Sequence, residues 1–352
     1  MSVGPSTLVA RPATCADLGE VAELLHRIFG VRQTVGALRW KFTGCAGRLL
    51  GSTVLTSDHG IVGFLGQIPV RVWVAGRESL ATQGADIGIL EEHRRLDAFL
   101  TLLRACVGEL ESAGVALAYG TANADAALAL ATLLGQPTVA AVPLLVRPLG
   151  GTIPARILSA FAGAAGFVAR CGPASVGADL QVTRLDRFDD RFDRFWRRIR
   201  DDYPIMLVRD AAYLNWRYVD APGSAYARIG LEYPATGEIE GYVVLGLARR
   251  GNQVRGRICD LITPRHGDRR AAHALIGEAL RWLRAQEADV ADVWMFPHAH
   301  LRSALRRHGF MPRRTGPGGF QASALVTDAA VGVQGVECAG NWFLSMGDSD
   351  TV

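Results

Sequence analysis

Leu38-Arg39-Trp40-Lys41-Phe42 returns 176 residues later as Leu214-Asn215-Trp216-Arg217-Tyr218, with apolar, aromatic and cationic side chains in the same order. Three further pairs keep step with it. Ile61-Val62-Gly63-Phe64 matches Ile239-Glu240-Gly241-Tyr242 at an offset of 178, while Asp86 matches Asp260 and Gly135 matches Gly309, both at 174. One such pair means little, but four in the same order at nearly one offset mark a duplication. The period is too long for a solenoid unit, so the 352 residues hold two copies of one domain. That length accommodates two cores of ordinary size.

Each copy reads as mixed α/β. In the first, a strand around 8–11 precedes a helix capped by Thr14 or Asp17, with Val21, Leu24, Leu25 and Ile28 on one face. Alternating apolar segments follow at 51–56, at 60–74 with a break expected near Pro69, and at 81–90. A helix over 94–112 carries Phe99, Leu102, Leu103, Cys106 and Leu110, and Gly114 separates it from a strand over 115–119. A last helix, capped by Asn123 or Asp125, stops at Gly135. The second copy repeats this order: strand 179–185, a helix to Arg200, strands over 225–264, helix 268–285, strand 290–296, helix 300–308. The boundaries read 1–148, a connecting segment over 149–177, and 178–352. The apolar face of that connection suits a helix against the domains or a homodimer contact.

Composition narrows the function. The apolar share of 49% and the charged share of 20% fit a folded chain and exclude a disordered polyelectrolyte. The longest apolar run, 157–169, is well short of the ~20 residues a membrane span needs, and no leader pattern opens the sequence. A soluble, cytoplasmic protein that binds no membrane is expected. The six cysteines stand singly and read as buried small hydrophobes. His298 and His300 lack a visible third ligand, so no metal is expected. Lys41 is the only lysine among the 38 basic residues. From Arg249 to Phe320, 14 arginines face six acids, a basic stretch suited to a polyanionic partner.

The order strand, helix, antiparallel meander, helix, strand, helix resembles the Gcn5-related N-acetyltransferase (GNAT) superfamily, here as a tandem pair. The most specific pieces are LRWKFTG (38–44), IVGFLGQIPVRVWVAG (61–76) and RDAAYLNWRYVDAP (209–222). NWFLSMGDSD (341–350) also resembles the closing segment of tandem bacterial proteins of this type. The resemblance implies α/β domains, each a mixed, mostly antiparallel sheet flanked by helices. Their fourth and fifth strands part so that a pantetheine arm enters as an extra strand.

It also implies the site. Asp86 and Asp260, at matching places on the fourth strands, are the candidate bases that deprotonate an amine. Ile87, Gly88 and Ile89 form the donor-pairing edge. The superfamily's pyrophosphate loop, [RQ]-x-x-G-x-[GA], reads EEHRRLDAF here: Arg94 is kept, but Asp97 and Phe99 replace the glycine-class residues. His93, Arg94 and Arg95 leave a cationic turn for a phosphate, with Asn123 a further contact. The tyrosine that protonates the leaving thiolate is absent, since Ala131 and Leu305 hold its places, and Tyr119 is the substitute. Tyrosine at that strand position also suits a core, as do Trp40 and Trp216. The expected activity is amide formation on a small-molecule amine by direct attack. The donor is acyl-CoA or a carrier-protein phosphopantetheine thioester. Two alternatives stand beside it: aminoacyl transfer from a charged tRNA docked on the basic second lobe, and a non-catalytic GNAT-like binding module.

Overall fold

The computed structural model describes residues 7–122, 130–133, 135, 138–150, 179–223, 225–313, 321–328, 332 and 334–350. The chain divides into two units, Met1–Ala140 with Phe320–Glu337 and Ala141–Gly319 with Cys338–Val352. Each unit is a mixed sheet flanked by helices, as expected from the sequence.

Unit 1 contains strands β1 (Val9–Pro12), β2 (Thr53–Ser57), β3 (Gly60–Val74), β4 (Arg77–Ile89), β5 (Leu117–Ala122), β6 (Thr138–Ala141) and, from late in the chain, β15 (Gln321–Val326). Their order in the sheet is β1-β2-β3-β4-β5-β15-β6, antiparallel from β1 to β4 and parallel between β4 and β5. Among the described residues, helices α1 (Leu18–Phe29), α2 (Val35–Thr43) and α3 (Leu96–Ser112) flank it. Helix α1 buries Leu18, Val21, Leu24 and Leu25, the i, i+3, i+4 spacing of a one-sided helix. Adjacent strand residues face opposite ways, so two residues of β3 assign the layers. Gly66 lies under the Phe42 ring of α2, while Gln67 donates to the Cys106 sulfur of α3. Helix α2 therefore sits on one face and α3 on the other.

Unit 2 repeats the plan with β7 (Leu144–Pro148), β8 (Gln181–Arg184), β10 (Ala227–Tyr233), β11 (Glu238–Arg250), β12 (Gln253–Ile262), β13 (Val290–Trp294) and β14 (Met311–Pro312), ordered β14-β7-β13-β12-β11-β10-β8. Two short strands, β9 (Ile205–Leu207) and β16 (Trp342–Phe343), pair in parallel. Its helices are α4 (Asp190–Ile199), α5 (Ala211–Tyr218), α6 (Arg269–Ala285) and α7 (Ala299–Arg307). The rings of Phe188, Phe192 and Phe195 meet Tyr242 edge-on and fill the core under α4.

Several expectations need correction. The strand beside β5 is β15, from the second half of the sequence, and the strand beside β13 is β7, from the first. The boundaries at 148 and 178 leave β7 with the first copy and β15 with the second, whereas each pairs in the other unit's sheet; each copy's pattern is complete in sequence, so nothing local reveals which sheet receives the last strand. β3 runs unbroken through Pro69, which pairs with Thr82. Asp17 stands at the start of α1, but its carboxylate takes Arg11 and Thr14 instead of a helix N–H. Trp40 and Trp216 are only half-buried; Leu38, Phe42, Leu214 and Tyr218 fill the cores. Cys106 and Cys259 are buried, their thiols pushed up to about 12 by burial, whereas Cys15 and Cys338 are exposed. Asn123, most of the helix expected before Gly135 and nearly all of the 149–177 connection lie outside the described residues.

Candidate active site

β4 and β5 pair only through Ala81 with Leu117, Thr82 with Ala118 and Gln83 with Tyr119. β4 then continues to Ile89 and β5 to Ala122, and among the described residues no strand joins that edge of β4 beyond Gln83. On its other edge the ladder to β3 slips: Phe64 faces Gly88, but Gly66 faces Ala85. The surplus residues form a β-bulge, which bends a strand and re-aims its side chains. Asp86 lies in it with φ 50°, a left-handed conformation that aspartate tolerates better than most residues. The bulge and the parting of the strands thus fall at the same level of β4.

The bulge brings Asp86 to α2. Lys41 Nζ donates to Asp86 Oδ2 at 2.8 Å, and the two side chains are 12% and 16% exposed. At that burial the pair is screened less than a surface ion pair, and removing either partner leaves the other charge sheltered and unmatched. Lys41 also lies 5.3 Å from the Phe42 ring centroid. Its neighbour Phe42 meets Phe64 edge-on at 5.1 Å, which fixes α2 on β3. In the sequence Lys41 stands within LRWKFTG with no site role of its own. Its status as the sole lysine, with Arg217 at the matching place, was the available signal.

At the far end of the edge, Arg94 Nη2 reaches Ile89 O at 3.4 Å. Helix α3 starts at Leu96 with Arg95 in the cap position and no side-chain cap. Arg95 pairs with Asp97 at 3.3 Å, both exposed. His93, Arg94 and Arg95 therefore stand together before a helix N-terminus, where unpaired N–H groups favour an anion. Tyr119 is 4% exposed and sits at the last β4–β5 pair.

Unit 2 places the matching residues differently. Asp260 is 1% exposed. Its carboxylate accepts from Tyr242 Oη at 2.9 Å, Arg209 Nε at 3.2 Å and Ser345 Oγ at 2.9 Å. Arg209 Nη2 also holds both oxygens of Asp348 at 2.7 Å. Burial, with Asp260 beside it, pushes the Tyr242 phenol well above its usual range, so it stays a donor. Asp86 and Asp260 share a strand position but not an environment. His298 stacks on Phe343, and no group of three or more His, Cys, Asp or Glu among the described residues is placed to hold a metal.

A mixed sheet whose fourth and fifth strands part at a bulge, present twice, is the tandem GNAT fold. Solved structures bear this out. The chain is similar to a conserved protein from Enterococcus faecalis described as a probable N-acyltransferase, with TM-score 0.65 and 12% identity over 93% of this chain and 74% of that one. It is similar to a GCN5-related N-acetyltransferase from Anabaena variabilis, with TM-score 0.64 and 12% identity over 92% and 74%. Saccharomyces cerevisiae N-myristoyltransferase with bound myristoyl-CoA gives 0.61 and 14% over 91% and 79%. No family model and no curated protein matches the sequence.

Proposed function

We propose that this chain is an acyltransferase that moves an acyl group from a thioester donor to an amine at the β4–β5 cleft of unit 1. One observation carries the reading: the bulge sets Asp86, paired with Lys41, where the two strands part. The similarity to N-acyltransferase structures supports acyl transfer in general.

The pantetheine amides of the donor pair with the edge at Ile87, Gly88 and Ile89, and its phosphate meets His93, Arg94 and Arg95 at the start of α3. Backbone N–H groups of the edge polarise the thioester carbonyl. The amine attacks that carbon directly; its proton passes to Asp86, the C–S bond breaks, and the thiolate takes a proton from Tyr119. Lys41 is a positioning residue that fixes the Asp86 carboxylate. Asp260 has its carboxylate committed to three donors, and we assign it to holding unit 2 together.

A small-molecule amine is the acceptor this reading favours, and the donor is CoA or a carrier-borne phosphopantetheine. For a carrier, the exposed arginines 302, 306 and 307 of α7 offer a basic face. The test is thiol release from acetyl-CoA and from an acylated carrier protein across a panel of amines. Release that requires amine and fails in Asp86→Asn supports the reading. Turnover with charged tRNA alone, or none with any donor, replaces it with one of the two alternatives.

A further inference from the structure

The parting of strands occurs in unit 2 as well. β12 and β13 pair only through Arg255 with Val290, Gly256 with Ala291 and Arg257 with Asp292, after which β12 continues to Ile262. There the gap is bridged by the chain itself. Phe296 N, just past β13, donates to Leu344 O at 2.9 Å, and Met295 forms an antiparallel bridge with Ser345. From the same residue, Ser345 Oγ reaches across to Asp260 on β12. Gly347 then lies so close to β12 that a Cβ would stand 3.1 Å from Cys259 O and collide with the Tyr218 hydroxyl. Arg217, the counterpart of Lys41, donates to Gly347 O at 3.1 Å and to Ser349 O at 2.8 Å. In unit 1, Lys41 and Asp86 bond to each other; in unit 2, Arg217 and Asp260 both turn to this segment.

We infer that residues 344–349 fill, in unit 2, the groove that unit 1 offers to a thioester donor, so that one chain takes up one donor. The inference rests on the reading of unit 1 as the donor cleft. A peptide is a chemically apt filler, because a pantetheine arm also presents amide groups to a strand edge. Fixation is by buried charge: Arg209 and Asp348 are 0% and 1% exposed and bond in two-pronged fashion, and Ser345 N closes the turn on Asp348 Oδ2 at 2.8 Å. Opening the groove would strand Arg209 and Asp260 in a dry core. Phe343, just before the segment, adds a hydrophobic anchor between the His298 ring, stacked at 4.8 Å, and the Arg209 guanidinium.

Hydrogen exchange on the full chain, with and without saturating acetyl-CoA, tests this alongside the calorimetric stoichiometry. The account expects amides of 342–349 and Phe296 to exchange at least about a thousandfold slower than in an unstructured peptide. Acetyl-CoA should leave them unchanged, slow exchange at Ile87–Ile89, and bind at one equivalent. A second equivalent, or faster exchange of 342–349 on adding donor, overturns it. If no acetyl-CoA binds, CoA is removed as the donor of unit 1, and the exchange of 342–349 without donor still decides whether the groove is filled.

Discussion

On the proposed function, Asp86 is the residue on which the chemistry turns. Aspartate at φ 50° costs some backbone strain, and its Lys41 partner is the one lysine of an arginine-rich chain. Asparagine tolerates the same backbone, so Asp86→Asn removes charge without moving the bulge. Turnover should fall about 10²- to 10⁴-fold with donor affinity kept, as measured by steady-state kinetics beside calorimetry. Lys41→Met should lower kcat and leave the donor KM, and Lys41→Arg should restore most of it, because unit 2 accommodates Arg217 at that place. A fall in both variants with the donor KM raised would make Lys41 a packing residue only. The duplication made Asp86 and Asp260 legible as a pair but gave no hint of their divergence. Ser345, which engages Asp260, lies 85 residues further along the chain.

Among the elements, α2 shows how closely the layers are fitted. A Cβ on Gly66 would meet the Phe42 ring and stand 2.9 Å from Ala85 O, so Gly66→Ala should destabilise unit 1 by about 1–3 kcal/mol in denaturant unfolding. The N-terminus of α7 carries a titration. Burial, with His300 nearby, holds His298 down at about 3, below its unfolded value of 6.5, while it stacks on Phe343. Between those values the unfolded chain binds the proton and the folded chain does not. Stability is therefore full above about pH 6.5 and falls with pH toward 3, by up to about 1.4 kcal/mol per unit. His298→Phe keeps a ring there and should flatten part of that slope in melting curves from pH 7 to 5. Most helices and strands could be read from periodicity, since α1 and α3 carry their apolar faces in register. The bulge could not, because a one-residue slip depends on the partner strand.

For the whole molecule, two copies of one fold have taken different parts. Among the described residues, unit 1 keeps an unpaired strand edge beside a carboxylate and a cationic turn, whereas unit 2 spends the same strand edges on its own residues 344–349. The tandem plan was readable from four sequence matches. The exchange of β7 and β15 was not, because strand pairing between distant segments leaves no local trace. The basic stretch is partly neutralised within unit 2, where Arg255 pairs with Asp292 and Arg270 with Asp179 and Asp268. Its excess charge on α7 should make carrier binding fall as salt rises, and Arg302→Glu with Arg306→Glu should weaken that binding without affecting acetyl-CoA.

The most direct measurement is a calorimetric titration of the intact protein with acetyl-CoA, repeated on Arg94→Ala. The account predicts saturable one-to-one binding that Arg94→Ala weakens about tenfold, a loss of about 1.4 kcal/mol from the phosphate contact. Binding that is indifferent to Arg94 would contradict the placement of the donor on β4 of unit 1, and the absence of binding to the intact protein would remove CoA as the donor.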